Sequence, residues 1–360
     1  MLGDISNIAR EIYAMAPKVL VHGSGAVGSI YIYLLDKAGC DVTAVCRSNH
    51  DVVKTDGFTI ESDLYGKGLH VHPNVARTPD EAVQFGPFDY VLVTTKALPL
   101  AKTPQTIAPA ITTKHTSIVL IQNGIAIEES YAKSFPNNTI ISTVVYLPTT
   151  QTKPGKILMG NVELLEVGTF PASAYQNEDG LAKIATDNLA AILKKGGSNV
   201  RFYDDIQERR WNKLLINASW NPICALTLSR DVAYLASSTA AEPLVSAVMA
   251  EVVAIAQALG YSKMDPSFIK EQMKKAMDRR GGKGIEPSML VDVLSRRRME
   301  VEVILGNPIK IAQRLGVPVP RLETLYALSA ALDESIAYRQ PGKSLGGDET
   351  KQSHSAKSYI

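Results

Sequence analysis

Lys213, Asn217 and Asn221 recur at every fourth position in the stretch RRWNKLLINASWNPICAL. At 3.6 residues per turn they form a stripe about 12 Å long on a helix otherwise built from Leu, Ile, Ala and Trp. An ammonium can polarise a carbonyl and protonate an alkoxide, while two carboxamides orient a small polar molecule without adding charge. The competing reading is an amphipathic helix showing a polar face to water. Asn221-Pro222 tells against it, because a proline inside a helix frees carbonyls and bends the axis, often near a cleft. A second chemical signal is Gly23-Ser24-Gly25-Ala26-Val27-Gly28, which reads G-x-G-x-x-G. In that pattern the first glycine makes a tight turn, the second admits a pyrophosphate to the backbone, and the third lets helix and strand pack closely. An ordinary glycine turn is the alternative, but the flanking strand and helix signals are those that dinucleotide binding requires. At the end of the next strand, where a carboxylate would hold a ribose 2′-hydroxyl, the chain has Arg47-Ser48. An arginine there clamps a 2′-phosphate and a serine hydrogen-bonds it, which favours NADP; a solvated arginine is the plain alternative.

These residues need elements to hold them. Lys18–His22 is a β-branched run stopping at glycine, and Asp41–Cys46, Phe88–Thr95 and Thr116–Gln122 are further buried strand candidates. Helical stretches between them, the first over Ser29–Ala38, predict a mostly parallel doubly wound sheet. Thr139–Val145 and Val162–Val167 alternate around Lys153-Pro154-Gly155 and predict antiparallel strands at the sheet end. Beyond Tyr203 the strand signals fade. Helices are predicted over Gln207–Leu226, Pro243–Leu259, Pro266–Met277, Ser288–Leu305 and Arg321–Tyr338, with Gly260, Gly281-Gly282 and Gly306 as breakers. The fold class is α/β: an N-terminal Rossmann-type sheet over 17–203, then an all-α C-terminal domain over 204–339. The polar tail 340–360 is expected to be disordered.

Composition narrows the function. Of 360 residues 45% are hydrophobic and 21% charged, a globular balance that excludes wholesale disorder. Lys+Arg 38 against Asp+Glu 36 gives a net charge of +2, too small for nucleic-acid or membrane-surface binding driven by charge. Cys40, Cys46 and Cys224 form no C-x-x-C, which disfavours a disulfide framework or zinc site and suits a reducing compartment. The first residues lack an apolar signal core, and the Ala-rich 232–259 segment is interrupted by Glu242, Pro243 and Glu251, so it reads as a core helix. A cytoplasmic protein with neither nucleic acid nor membrane as partner is expected. No metal is expected either; His70 and His72 fall on one face of a strand as structural residues. The oligomeric state stays open, with a homodimer among the options.

The order of G-x-G-x-x-G, strand-end Arg47, Thr95-Lys96, Gln122-Asn123-Gly124, K-x-x-x-N-x-x-x-N-P and Ser288-Met289-Leu290 with Glu300 resembles the ketopantoate reductase (2-dehydropantoate 2-reductase) family. The resemblance covers about residues 18–338. It implies an NADPH-dependent reductase taking a 2-oxo acid to a 2-hydroxy acid, foremost 2-dehydropantoate to pantoate in pantothenate and coenzyme A biosynthesis. It further implies that Gly23, Ser24, Gly25, Ala26, Val27, Gly28, Arg47 and Lys96 bind NADP, and that Asn123 stands between nicotinamide and substrate. Lys213 would be the proton donor, Asn217 and Asn221 would hold the substrate, Ser288 would meet its carboxylate, and Glu300 would act near the nicotinamide end. Two departures fall on what the family uses as its substrate side: Asp231 where an asparagine is common, and Ile285-Glu286-Pro287 before Ser288. They leave open a reductase for another branched 2-oxo acid, such as 2-ketoisovalerate. A regulatory protein that binds NADP without turnover is the more distant alternative.

Overall fold

Val19, Leu20 and Val21 have no exposed surface in strand β1 (Lys18–His22), which lies in the middle of an eight-stranded sheet. The computed structural model describes residues 16–178, 180–340 and 343–345, so the tail expected to be disordered lies mostly outside the described residues. The chain divides into two compact units. The first comprises the chain to Ala97, Ala101–Gln122 and Ile127–Gln207; the second comprises Leu98–Leu100, Asn123–Ala126 and the chain from Glu208.

In the first unit β1 pairs in parallel with β2 (Asp41–Val45) on one side. β2 in turn carries the edge strand β5 (Asn74–Ala76). On the other side of β1 come β6 (Tyr90–Val93), β7 (Ser117–Leu120) and β8 (Ile140–Tyr146), all parallel. Strand order therefore reverses at β1, which makes the ends of β1 and β6 the switch point where α/β sheets receive ligands. β11 (Leu164–Phe170) runs antiparallel to β8, and β12 (Val200–Phe202) closes the edge. The strand expected at Val162–Val167 thus starts later and runs longer. The Lys153-Pro154-Gly155 turn does not link β8 to β11. It joins β9 (Thr149–Lys153) to β10 (Lys156–Met159), which pair with β3 (Phe58–Ser62) and β4 (Gly66–Val71) in a separate four-stranded sheet. His70 lies in β4 across from Thr59 of β3, with Nε2 3.4 Å from its hydroxyl, whereas His72 falls one residue past the strand, so the two do not share a strand as expected.

Helix α1 (Ala26–Ala38) buries Ile30, Ile32, Leu34 and Leu35 and packs against α2 (Leu181–Gly196). The buried Glu163 joins these parts. Its carboxylate accepts from Tyr31 Oη (3.1 Å), Tyr65 Oη (3.3 Å), Ser198 Oγ (2.7 Å) and the Asn199 N–H (2.7 Å). A buried charge is tolerable when its lone pairs are filled in this way. Burial and the neighbouring Glu163 charge push the Tyr31 phenol well above its ordinary value.

The second unit is helical: α3 (Ile206–Thr227, whose first two residues end the first unit), α4 (Asp231–Ser237), α5 (Ala241–Ala258), α6 (Pro266–Met277), α7 (Ser288–Leu294), α8 (Asn307–Leu315) and α9 (Pro320–Ser335). By length and composition α5 could cross a membrane, yet half of that stretch is buried and it packs on α4, α6, α8 and α9. Glu251, the charge that interrupts its apolar run, accepts from the Arg321 and Leu322 N–H groups (3.1 and 2.9 Å), so it caps α9.

The single helix expected over Ser288–Leu305 is broken. Arg296 takes a left-handed conformation (φ 52°), and Asp333 draws in the Met299 N–H (2.6 Å) and Arg298 Nε (2.7 Å). Helix resumes after Glu300 as a π turn, Glu302–Gly306, that runs straight into α8. Gly306 is therefore no breaker. A Cβ there would lie 2.6 Å from Glu302 Oε2, because the Glu302 side chain folds back over the wide turn towards Lys310 and Tyr326.

At the α1–α2 contact, a Cβ on Gly196 would overlap the Leu34 carbonyl, whose carbon lies 2.8 Å away. Gly196→Ala is expected to destabilise the protein by about 1–3 kcal/mol, read as a lower midpoint in urea unfolding. An unchanged midpoint would contradict the packing described.

Candidate active site

Two groups of side chains gather the residues singled out from the sequence. In the first unit the β1 end turns at Gly23, where a Cβ would stand 2.5 Å from the Thr95 N. Thr94 Oγ1 donates to the Gly23 carbonyl (2.6 Å), and a Cβ on Gly28 would press into that carbonyl and within 2.7 Å of the same hydroxyl. The loop and the end of β6 are thus locked together, which puts Lys96 beside the loop. Ser24 Oγ donates to the Val45 carbonyl (3.1 Å), and the buried Asn49 donates to the Ser24 carbonyl (2.8 Å), so the exposed Arg47 and Ser48 lie beside Ser24. A Cβ on Gly25 would meet nothing within 4 Å, in contrast to Gly23 and Gly28. Helix α1 starts there with no side-chain cap and no acid in its first turn. Open space at Gly25 above an uncapped helix start suits a phosphate. Asn49 and Thr94 escaped the sequence reading because their task is to hold backbone carbonyls, which leaves no motif.

His22 ends β1 against this loop, and its buried Nδ1 has no hydrogen-bond partner among the described residues. Burial first, and the Arg47 charge second, lower its pKa to about 4. Both favour the neutral ring.

The second unit holds the other group. Lys213 Nζ donates to Asn123 Oδ1 (2.8 Å), and Asn123 Nδ2 donates to Glu300 Oε2 (3.0 Å). One carboxamide thus bridges an ammonium and a carboxylate that is only 7% exposed. On α3, Asn217 is half-buried and its side chain makes no hydrogen bond among the described residues, while the buried Asn221 donates to Ser288 Oγ (3.3 Å) at the first turn of α7. Ser288 is therefore not a helix cap, and Asn221 pairs with it.

Asn123 owes its place to its neighbours. Gly124 has φ +98°, and a Cβ there would collide with Val303 in the π turn. The Ile125 N–H donates to the Val303 carbonyl (2.9 Å), and Asn307 Nδ2 donates to the Ile125 carbonyl (2.8 Å). From the other side Arg210, one turn before Lys213 and 3% exposed, donates to the Gly124 carbonyl (2.9 Å). Gly124 entered the sequence reading only as part of Gln122-Asn123-Gly124, while Arg210 and Asn307 carry no local signal and were not singled out.

Asp231 departs from the substrate-side role that the resemblance suggested for its position. It is 2% exposed, and its carboxylate is taken up by Arg279 and by backbone N–H groups.

A doubly wound domain followed by a helical one, with a phosphate-type loop in the first and an ammonium–amide–carboxylate chain in the second, defines an oxidoreductase. Residues 19–172 match the profile described as "Ketopantoate reductase PanE/ApbA", and residues 205–333 match that of its C-terminal domain. A 2-dehydropantoate 2-reductase of Nostoc sp. is 29% identical, over 88% of this chain and 95% of that protein. An uncharacterized protein of Saccharomyces cerevisiae is 31% identical, over 90% of this chain and 95% of its own length. The crystal structure of 2-dehydropantoate 2-reductase from Methylococcus capsulatus superposes with a TM-score of 0.76 at 31% identity, covering 91% of this chain and all of that one. The chain belongs to the ketopantoate reductase family, and with it to the 2-oxo acid reductases.

The buried His22 makes stability depend on pH. Its folded pKa of about 4 lies below the ordinary 6.5, so on acidification the unfolded chain takes the proton first. Its contribution is intact above pH 6.5 and is lost as pH falls towards 4. Between pH 7 and 4.5 the loss is about 2–3 kcal/mol. In urea unfolding at the two pH values, His22→Gln should lose less stability than the unmutated protein by about that amount; equal losses would contradict the assignment.

Proposed function

We propose that this protein reduces a 2-oxo acid to the 2-hydroxy acid with NADPH, and that 2-dehydropantoate is the substrate. The observation that carries the reading is the Lys213–Asn123–Glu300 chain. Glu300 holds the Asn123 NH₂ group, which turns the amide oxygen towards Lys213 and fixes the ammonium at one edge of the site. From there Lys213 polarises the ketone oxygen and gives its proton to the alkoxide as it forms. Ser288 Oγ accepts from Asn221, which leaves its own O–H to donate to the substrate carboxylate. Asn217 has an amide uncommitted among the described residues and supplies a further substrate contact.

The first-unit loop fits a dinucleotide, because Gly25 alone of the loop's three glycines has open space where a Cβ would be. Gly23 to Gly28 and Lys96 would hold its phosphates, with Arg47 and Ser48 at the 2′-phosphate that distinguishes NADPH from NADH. When bound, the reduced nicotinamide supplies the hydride. The 2-dehydropantoate 2-reductases among the relatives support the choice of substrate. Another branched 2-oxo acid is the second reading, favoured by Ile285-Glu286-Pro287 ahead of Ser288.

NADPH oxidation followed at 340 nm with a panel of 2-oxo acids decides between the substrates. Lys213→Ala should lower kcat by about 10²–10⁴-fold with little change in NADPH affinity. A folded variant with undiminished turnover would refute the proton-donor role. If the unmutated protein binds NADPH and reduces no 2-oxo acid, a regulatory role replaces the enzymatic one. In a separate titration of protein fluorescence, Arg47→Ala should cut the preference for NADPH over NADH about ten-fold or more. Equal affinities in the unmutated protein would rule out the NADP assignment.

A further inference from the structure

The buried Asp231 has more partners than a helix-starting carboxylate needs. Oδ2 accepts from Arg279 Nε (3.0 Å) and Nη2 (2.6 Å); Oδ1 accepts from the N–H groups of Val232 (2.8 Å) and Ile285 (2.7 Å). Arg279 and Ile285 bracket the Gly-rich segment 280–284, so one carboxylate ties both ends of that arch to the start of α4. The Asp231 N–H returns a bond to the Ile285 carbonyl (3.3 Å). Arg230 reinforces the attachment through the Gly284 carbonyl (3.4 Å) and Glu286 Oε1 (2.7 Å). The fit is close: a Cβ on Gly284 would collide with Asp231 Oδ1 and stand 2.5 Å from Val232 Cγ2.

Three residues beyond Ile285 comes Ser288, whose Oγ accepts from Asn221. Ser288 is exposed, and Asn221 is the side-chain partner assigned to it, at 3.3 Å. A single long hydrogen bond places an exposed hydroxyl loosely. The backbone leading to it is fixed by the Asp231 carboxylate, which sits ten positions after Asn221 on the same stretch of chain. We infer that Asp231 is a positioning residue, stapling the 280–284 arch so that the Ser288 hydroxyl stands in register with Asn221 to receive the substrate carboxylate. This rests on the reading of the site as one for a 2-oxo acid. It also accounts for the acid at this position, since an amide offers only one acceptor oxygen and could not bind Arg279 in two places while accepting two N–H groups.

The test compares Asp231→Asn and Arg279→Gln, the second of which breaks the same anchor from the half-exposed arginine and leaves the buried carboxylate in place. Both variants should raise KM for the 2-oxo acid about five- to ten-fold, with kcat within two-fold and NADPH affinity unchanged. In a Ser288→Ala background neither should raise KM further, because the hydroxyl they position is already gone. Amide hydrogen exchange of peptides spanning 280–287 should quicken in both variants, with or without substrate. Unchanged exchange in both, or a KM increase of the same size in the Ser288→Ala background, would overturn the proposal. Should the unmutated protein reduce no 2-oxo acid, the reading of the site fails by itself, and the exchange measurement still decides whether the staple exists.

Discussion

A carboxylate inside a protein has to be met by donors, and the second unit is arranged around that demand at Glu300. Its Oε2 takes the amide of Asn123, and the same amide takes the ammonium of Lys213. An amide between the two charges passes orientation from the carboxylate to the ammonium. Everything nearby serves the placement of that amide. Gly124 adopts a conformation that other residues resist, the π turn offers the Val303 carbonyl, and Asn307 and Arg210 hold the adjacent Ile125 and Gly124 carbonyls.

The first unit solves a different problem. Its loop must present backbone N–H groups to an anion, which requires the loop to be rigid and its face to be bare. Rigidity comes from Thr94 and Asn49, which hold the Gly23 and Ser24 carbonyls from behind. Bareness comes from Gly25 and from a helix start without a capping side chain. His22, kept neutral beneath the loop, adds no charge of its own next to Arg47.

Much of this was legible in the sequence, for physical reasons that differ by element. Buried parallel strands such as Val19–Val21 must be apolar on both faces, and the glycine loop demands particular residues at particular positions, so both announce themselves. The Lys213–Asn221 stripe was visible because polar groups on an apolar helix are costly. The π turn left no trace: Glu302–Gly306 has ordinary helical composition, and it is met by a distant loop, whose Ile125 N–H donates to the Val303 carbonyl. The break after α7 was hidden for the same reason, since Asp333 captures Arg298 and Met299 from across the unit. Asp231 looked like a near-conservative change of a ligand-facing residue. Its bonds to Arg279 and Ile285 depend on a loop whose course no local pattern fixes.

A π turn is a helix with one residue more than its ladder needs. Each residue turns a helix by about 100°, so losing one between Glu300 and Asn307 would restore a regular α-helix and swing the Glu300 side around the axis by that angle. The helix itself would gain regularity while the amide bridge lost its carboxylate. Chain length is therefore under as much constraint here as residue identity. In this short stretch a deletion that improves the element ruins the site, and any tally of tolerated changes would find substitutions where it finds no shortening.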